Sequence, residues 1–187
     1  MGDPAGGQTT ISRPMLVAEL PEELAAIADN LYSESPADRA YAASELGRLG
    51  KEAQTAVPLL IDRLEDPDWQ VRRQAAEALG TVGDGSAVKP LIDVLSDRNG
   101  EWAVRTAAAR SLGELGDARA VEPLVAVLND MNAHVRHMAV IALGQIGTPE
   151  TLEPLAAASS SDSDAATRFS AAEALGRLEA SKVEESP

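Results

Sequence analysis

Apolar residues recur at helical spacing along this chain, and the clearest run of them repeats five times. In the fourth copy, Val135, Ala139, Leu143 and Ile146 lie three or four positions apart, which places them on one side of a helix. The copies share the pattern Arg-x-x-Ala-Ala-x-x-Leu-Gly-x-aliphatic-Gly or a close variant of it. They recur at steps of 31 to 33 residues and begin at Arg39, Arg72, Arg105, Arg136 and Arg168. A repeat of that length indicates an array of supersecondary units, each burying its apolar face against its neighbours.

A second apolar stripe precedes each motif and predicts a first helix in every unit. In the fourth unit this stripe consists of Val121, Leu124, Val125 and Leu128. A proline falls early in most first helices, where the missing amide would have no partner within the helix; these are Pro58, Pro90, Pro123 and Pro154. Four of the second helices end at a glycine suited to a left-handed cap, namely Gly50, Gly83, Gly116 and Gly147.

The two stripes together predict an all-α fold, an alpha-alpha superhelix of five helix-pair repeats with about ten helices. We place the repeats at approximately 20–50, 51–83, 84–116, 117–147 and 148–179. Residues 1–19 hold early glycine and proline without a sustained apolar period, so we expect a flexible N-terminal arm. Met15, Leu16 and Val17 are candidates to dock on the first helix, and residues 180–187 are expected to form a short acidic tail.

Each motif also places a glycine inside the second helix, one residue after the leucine; these are Gly47, Gly80, Gly113, Gly144 and Gly176. Glycine there costs about 1 kcal/mol relative to alanine. Because the cost recurs in every copy, we expect it to permit close approach of the neighbouring helix. The paired alanines of the motif are expected to serve the same purpose.

The five concordant motifs resemble HEAT-like repeats of the phycobilin lyase type, and the resemblance covers roughly residues 21–179. It implies a right-handed superhelix of antiparallel helix pairs whose second helices line a concave surface. The terminal copies depart from the pattern: Asp38 and Thr167 replace the valine before the arginine, and Glu179 replaces the closing glycine. Polar substitutions of this kind are typical of capping repeats, so we expect the array to be complete.

Composition narrows the classes of partner. The formal charge of −14 disfavours nucleic acid, because neutralising phosphates needs clustered cations. The acidity indicates a soluble surface or, alternatively, adaptation to a salty cytoplasm. The chain has no cysteine, which excludes disulfides and thiolate metal sites. No apolar run approaches the roughly 20 residues of a membrane span, and no signal peptide is evident. We therefore expect a cytoplasmic protein with no membrane partner. We also expect a monomer.

The five motif arginines could form a cationic ladder for a polyanion, but a structural role is favoured. An acid or amide lies six residues before most of them, at Asp66, Asn99, Asp130 and Asp162, with Ser33 in the first copy. Arginine and carboxylate at matching positions of stacked units can form hydrogen bonds from one repeat to the next. We therefore interpret the arginines as a structural ladder.

The side chains outside the repeated pattern are the candidates for function. Four of the five aromatic residues fall off the core stripe of the second helices. Packing of the aromatics at helix starts would explain the tryptophans, whereas tryptophan, tyrosine and arginine together are typical of binding anchors. Charges of both signs alternate there, so this stripe is nearly neutral on an acidic chain. The predicted partner-binding residues are Tyr41, Trp69, Arg73, Trp102, Arg110, His134, His137, Met138, Ile141 and Phe169.

Catalytic interpretations find little support in the sequence. His134 and His137 share a helix face, but no acid accompanies them at a metal-ligand spacing, so we predict no metal site. The serine-rich run Ser159–Ser163 is interpreted as a flexible linker rather than the source of a nucleophile. No strand is predicted that could precede a glycine-rich phosphate loop. We therefore predict no catalytic residue and no cofactor.

The leading hypothesis is a non-enzymatic protein–protein interaction scaffold that binds a protein or peptide on the concave face formed by the second helices. The family resemblance supplies an alternative, a bilin lyase-like or chromophore-handling accessory protein, which leaves enzymatic activity open. A HEAT-like DNA-repair enzyme is a third possibility, disfavoured by the net charge. A designed repeat protein would also fit the regularity, although the unequal steps are typical of a natural chain.

Overall fold

The computed structural model describes residues 17–18 and 20–184, and side chains as far as residue 180. The described chain is helical throughout, without a strand, and its ten α-helices pair into five successive units. The helices are α1 (Glu22–Asp29), α2 (Pro36–Leu49), α3 (Val57–Asp62), α4 (Trp69–Val82), α5 (Val88–Ser96), α6 (Trp102–Leu115), α7 (Val121–Ala126), α8 (Ala133–Ile146), α9 (Leu152–Ser161) and α10 (Ala165–Glu184). The prediction of an all-α superhelix is confirmed.

The odd-numbered helices form one layer and the even-numbered helices form the other. The predicted prolines lie in the first turns of α3, α5, α7 and α9, each of which follows a short 3-10 turn. The closing glycines of α2, α4, α6 and α8 all have positive φ, between 56° and 79°, which an L side chain adopts only with strain. The glycines end one helix and the prolines begin the next within a few residues, so consecutive helices run antiparallel.

The even-numbered helices pack closely along the array, whereas the odd-numbered helices contact one another sparsely. Interior glycines permit this close packing. A Cβ added to Gly47 would lie 2.9 Å from the Cα of Ala78, and one added to Gly144 would lie 2.7 Å from the Cβ of Ala174. The even-numbered helices therefore form the more closely packed layer, which is the layer that the resemblance to HEAT-like repeats places on the concave side.

The core lies between the two layers and continues from repeat to repeat. Leucines of the even-numbered helices, such as Leu46 and Leu112, are fully buried against leucines of the odd-numbered helices, such as Leu91. Val17 is also fully buried in this core, at the N-terminal end of the array. Met15, Leu16 and most of the predicted arm lie outside the described residues.

Two boundaries differ from the sequence predictions. The helix α10 continues to Glu184, beyond the limit of 179 that we assigned to the last repeat, so the start of the predicted acidic tail is helical. Ser159 to Ser161 form the last turn of α9 instead of a linker. Their hydroxyls donate to the carbonyl oxygens of Ala156 and Ala157, which satisfies these polar groups within the helix.

Candidate protein-binding surface

The exposed sides of α2, α4, α6, α8 and α10 form one continuous surface, which we call the concave face. Each of these helices begins at the same edge of the array, so residues at matching motif positions are aligned from repeat to repeat. Trp69 and Trp102 are the first residues of α4 and α6 and therefore lie at this edge. Side chains exposed on this face include Tyr41 (66%), Trp69 (40%), Trp102 (48%) and Phe169 (66%).

The structure brings the two histidines of α8 against its neighbours on this face. The ring of His134 stacks on the indole of Trp102, with 5.2 Å between ring centroids and an angle of 28° between planes. The Nε2 atom of His137 lies 2.9 Å from the hydroxyl oxygen of Ser170 on α10, within hydrogen-bond distance. Both histidines thus bridge adjacent repeats, and the stack with His134 holds the Trp102 ring in place while leaving about half of it exposed.

Three large apolar side chains in the fourth repeat differ in their exposure. Met138 and Ile141 are half-buried, and Met138 packs against the core, so it contributes less open surface than its off-stripe position implies. Met131, in the loop before α8, is fully exposed. Met131 is absent from the predicted contact residues, because these were off-stripe positions of the second helices and Met131 precedes α8.

Charged side chains of both signs lie along the middle of the concave face. The guanidinium of Arg73 lies 3.9 Å from the carboxylate of Glu77 on the same helix. Partial burial raises the pKa of Glu114 above its ordinary value, against the opposing effect of Arg110 and with a further contribution from Glu77. Opposite charges therefore lie close together here, and the face carries little net charge on a chain of −14.

Three of the motif arginines donate to an aspartate of the following repeat. Arg39 makes a two-point contact with Asp66, with both N···O distances at 2.8 Å. Arg136 makes the same contact with Asp162, at 2.9 and 3.0 Å. The connected pairs are Arg39–Asp66, Arg105–Asp130 and Arg136–Asp162. The arginine side chains of these pairs are buried or nearly so, so they join the repeats and offer little surface to a polyanion.

The remaining two arginines have other acceptors. Arg72 donates to Glu101, since Asn99 stands where the other repeats carry an aspartate and does not bond to Arg72. Arg168 donates to the backbone carbonyl oxygens of Asp162 and Ser163 in its own repeat. Glu101 was not foreseen from the sequence, because it lies two residues beyond the position that supplies an acid elsewhere.

The described part of the concave face presents aromatic and paired charged side chains. The described residues contain no group of three or more side chains placed to hold a metal ion. None of the helices in the described part is both long and apolar enough to cross a bilayer. What the concave face presents is a set of aromatic rings and a thioether beside paired charges. Such side chains bind a partner by stacking and by burial of apolar area.

The paired helices, the interior glycines and the arginine contacts between repeats define an α-solenoid of the HEAT type. The chain belongs to the HEAT repeat family: a family model described as HEAT repeats matches residues 22–101 and 88–176.

Part of the chain is also similar to curated relatives. Phycocyanobilin lyase subunit alpha of Microchaete diplosiphon is 42% identical over 73 residues, which are 35% of this chain and 25% of the relative. The same subunit of Pseudanabaena tenuis (strain PCC 7409) is 44% identical over 73 residues, or 35% of this chain and 27% of the relative. The predicted resemblance to phycobilin lyase HEAT-like repeats is confirmed. The matched segment spans about a quarter of these relatives.

Solved structures show the same architecture. A chain from the complex of CpcE and CpcF of phycocyanin lyase from Nostoc sp. PCC7120 superposes with a TM-score of 0.67 at 23% identity, covering 81% of this chain and 96% of that chain. A computationally designed armadillo repeat protein for modular peptide recognition gives a TM-score of 0.60 at 19% identity, covering 87% of this chain and 88% of that chain. At these identities the similarity shows the fold.

Proposed function

We propose that this chain is a non-catalytic scaffold that holds a protein or peptide on its concave face. The observation that carries the proposal is the exposure of aromatic rings on a nearly neutral face of a strongly acidic chain. Exposed aromatics at one surface are typical of partner contacts, because each ring buries a large apolar area at a small entropic cost.

The proposed contact residues are those that the sequence analysis selected, with Met131 added. Trp69, Trp102 and His134 occupy the edge at which the second helices begin, and Tyr41 and Phe169 lie on the first and last second helices. Arg73, Arg110 and His137 supply polar contacts, while Met138 and Ile141 contribute their exposed atoms. The arginine ladder is left out of this set, because each of its members already donates to a carboxylate or a backbone carbonyl of the chain, although the Nε of Arg105 has no acceptor.

The experiment compares the wild-type chain with the double variant Trp69→Ala and Trp102→Ala. Each chain is immobilised, proteins retained from a native lysate are identified, and the affinity of the purified partner is measured by calorimetry. Because truncation of a buried aromatic anchor costs about 2 kcal/mol or more, we expect the double variant to bind at least about 30-fold more weakly. Far-UV circular dichroism should show unchanged helicity.

The matched control truncates two side chains on the opposite layer. Lys89 and Asp93 form an exposed ion pair on α5, away from the concave face. A Lys89→Ala and Asp93→Ala double variant should retain the wild-type affinity. Equal affinity of the tryptophan variant and the wild type would contradict the proposal.

A second candidate function is a role in bilin handling, which the 42% identity over 73 residues to a phycocyanobilin lyase subunit favours. The similar Nostoc chain comes from a complex of two subunits, so a second helical-repeat subunit is the partner we propose in this case. The test adds phycocyanobilin to the chain alone and to the chain with its captured partner. A shifted visible absorption band that the tryptophan variant lacks would support this role, and an unchanged free-bilin spectrum in both mixtures would rule it out.

A further inference from the structure

The loop between α5 and α6 is built differently from the corresponding loops of the other repeats. In three other repeats, the aspartate at this position accepts a hydrogen bond from an arginine of the preceding repeat; these are Asp66, Asp130 and Asp162. In this loop the corresponding residue is Asn99. Arg72 therefore donates to Glu101, the residue immediately before α6.

The first turn of α6 also has no side-chain cap. Ser35, Asp68 and Asn132 accept a backbone N–H at the starts of α2, α4 and α8, whereas Glu101 accepts none at the start of α6. The first amides of a helix have no carbonyl partner within it, and the helix dipole makes this end attractive to an anion. A carboxylate of a bound molecule could accept hydrogen bonds from these amides and would also interact favourably with the helix dipole.

A cavity of about 510 Å³ opens beside this helix start, between α6 and the loop that precedes α8. Its apolar wall includes the exposed indole of Trp102 and the fully exposed Met131. Its charged lining consists of Arg98 and Arg105 together with the carboxylates of Glu101 and Asp130. Trp102 also belongs to the concave face, so a molecule bound on that face can extend a side chain into the cavity.

Arg105 lines this cavity with hydrogen-bonding capacity that the described residues do not use. It is 7% exposed and donates to Asp130, yet its buried Nε has no acceptor. Arg39 and Arg136, by contrast, each donate to a carboxylate and to backbone carbonyls of the preceding loop. The altered loop before α6 gives Arg105 no such carbonyl, so a nine-tenths buried guanidinium remains incompletely paired beside the cavity.

The charges around the cavity favour an anion. Burial would raise the pKa of Asp130, but hydrogen bonds from Arg105 and from the backbone N–H of Asn132, with the charges of Arg105 and, least, Arg98, hold it below its ordinary value. Glu101 is neutralised by Arg72. The lining itself holds two arginines and two carboxylates. Because Arg72, from outside the lining, pairs with Glu101 and Arg105 pairs with Asp130, Arg98 is left without an ion-pair partner among the described residues. Asp97 borders the adjacent cavity, where its carboxylate accepts the backbone N–H of Asn99.

We propose that this cavity is a subsite for an acidic side chain of the bound protein, next to an apolar group that packs on Trp102 and Met131. The carboxylate would contact Arg98 and Arg105 and accept from the open first turn of α6. The inference rests on the proposed scaffold function and specifies the chemistry of the partner at one position: an aspartate or glutamate beside an apolar residue.

The test uses three small probes that share one apolar group: 4-phenylbutyrate, 4-phenylbutan-1-ol and 4-phenylbutylamine. Binding is followed by the indole N–H resonances of the two tryptophans in ¹⁵N-labelled protein, assigned with a Trp69→Phe variant. We expect the carboxylate to shift the Trp102 resonance saturably, with an affinity about ten-fold or more above that of the alcohol. The amine should bind most weakly. Arg98→Gln should lower carboxylate affinity by about three-fold or more.

Arg119→Gln is the matched control, because Arg119 is also exposed but pairs with Asp117 elsewhere on the surface. It removes the same charge and should leave the probe affinities unchanged. Equal binding of the three probes, a shift of Trp69 instead of Trp102, or no shift up to about 20 mM carboxylate would overturn the subsite. These outcomes are independent of the lysate experiment, so the subsite can fail while the scaffold function stands, and the reverse.

Discussion

At the scale of single residues, Asp66 is the most enclosed member of the arginine ladder, with 3% of its surface exposed. It accepts two hydrogen bonds from Arg39 and one from the backbone N–H of Asp68, and Arg63 lies 3.6 Å away. Burial alone would raise the pKa of Asp66, but these hydrogen bonds outweigh it and hold the pKa below its ordinary value. The charge is therefore retained in the folded protein, between two buried guanidinium groups.

Replacement of Asp66 by asparagine should destabilise the fold strongly. The change leaves Arg39 and Arg63 buried without their carboxylate, a loss that typically costs about 3 to 5 kcal/mol. Urea unfolding followed by circular dichroism measures the free energy of unfolding. Asp93→Asn, which removes one half of an exposed ion pair, is the control and should leave the midpoint unchanged. Similar midpoints for both variants would contradict the expected importance of burial.

The ladder carboxylates also predict how stability depends on pH. A hydrogen bond from Arg136 lowers the pKa of Asp162, and the pKa values of Asp66 and Asp130 are lowered as well. A carboxylate whose pKa is lower in the folded state binds more protons when unfolded, so its contribution is complete above an unfolded pKa of about 3.9 and is lost as pH falls through the folded value.

We therefore expect the free energy of unfolding of the wild type to fall as pH decreases from about 5 to about 3. Asp162→Asn is less stable at neutral pH, but its stability should fall less steeply, because one of the titrating groups is gone. Urea midpoints at a series of pH values measure both slopes. Parallel curves for the two proteins would show that Asp162 does not contribute to the acid sensitivity.

At the scale of helices, the interior glycines set the distance between repeats. A Cβ added to Gly113 would lie 2.8 Å from the Cα of Ala142, so the α6–α8 packing leaves no room for a methyl group against that backbone. Gly176 holds the matching position in α10, and a Cβ added there meets no atom of the described residues within 4 Å. The expectation that these glycines permit close approach of the next helix is confirmed at Gly113.

Alanine at these two positions should act in opposite directions. Gly113→Ala forces α6 and α8 apart and should destabilise the protein by about 1 to 3 kcal/mol. Gly176→Ala removes a helix-interior glycine without a clash and should stabilise it by about 0.5 to 1 kcal/mol. Thermal and urea unfolding of the two variants beside the wild type provide the measurement, with Gly176→Ala serving as the control for glycine replacement in general.

At the scale of the whole molecule, the main contacts connect each repeat to its immediate neighbours. In such an array, cooperative unfolding depends on the interfaces between adjacent repeats. The α6–α8 interface joins the first three repeats to the last two. Weakening it should reduce the coupling between the two parts while leaving the contacts within each part intact.

Gly113→Ala should therefore separate the unfolding of the two ends. In a Trp102→Phe background, Trp69 is the remaining tryptophan and reports on the second repeat. We expect fluorescence and circular dichroism to give one urea midpoint in the background protein, and a higher midpoint by fluorescence after Gly113→Ala is added. Coinciding midpoints that simply move to lower urea would show that the array still unfolds as a unit.

Much of the fold followed from local pattern, since a motif that recurs every 31 to 33 residues specifies both the helix pair and its neighbours. Val135 and Leu143 belong to a stripe whose burial can be derived from helical spacing alone. The stack of His134 on Trp102 and the contact between His137 and Ser170 could not be derived that way. Each joins side chains of different repeats, and their approach depends on how the helices are offset in space.

By itself, the sequence determined the helix pairs, their caps and prolines, the core stripe and the off-stripe positions that carry aromatic residues. These features depend on interactions within one helix or on a regular repeat, so spacing suffices to specify them. The tertiary structure decided that Arg72 pairs with Glu101 rather than Asn99, that Met131 joins the exposed surface, and that α6 begins without a cap. The reason is geometric: a loop that departs from the repeat redirects its side chains, and only the packed array shows which groups then meet.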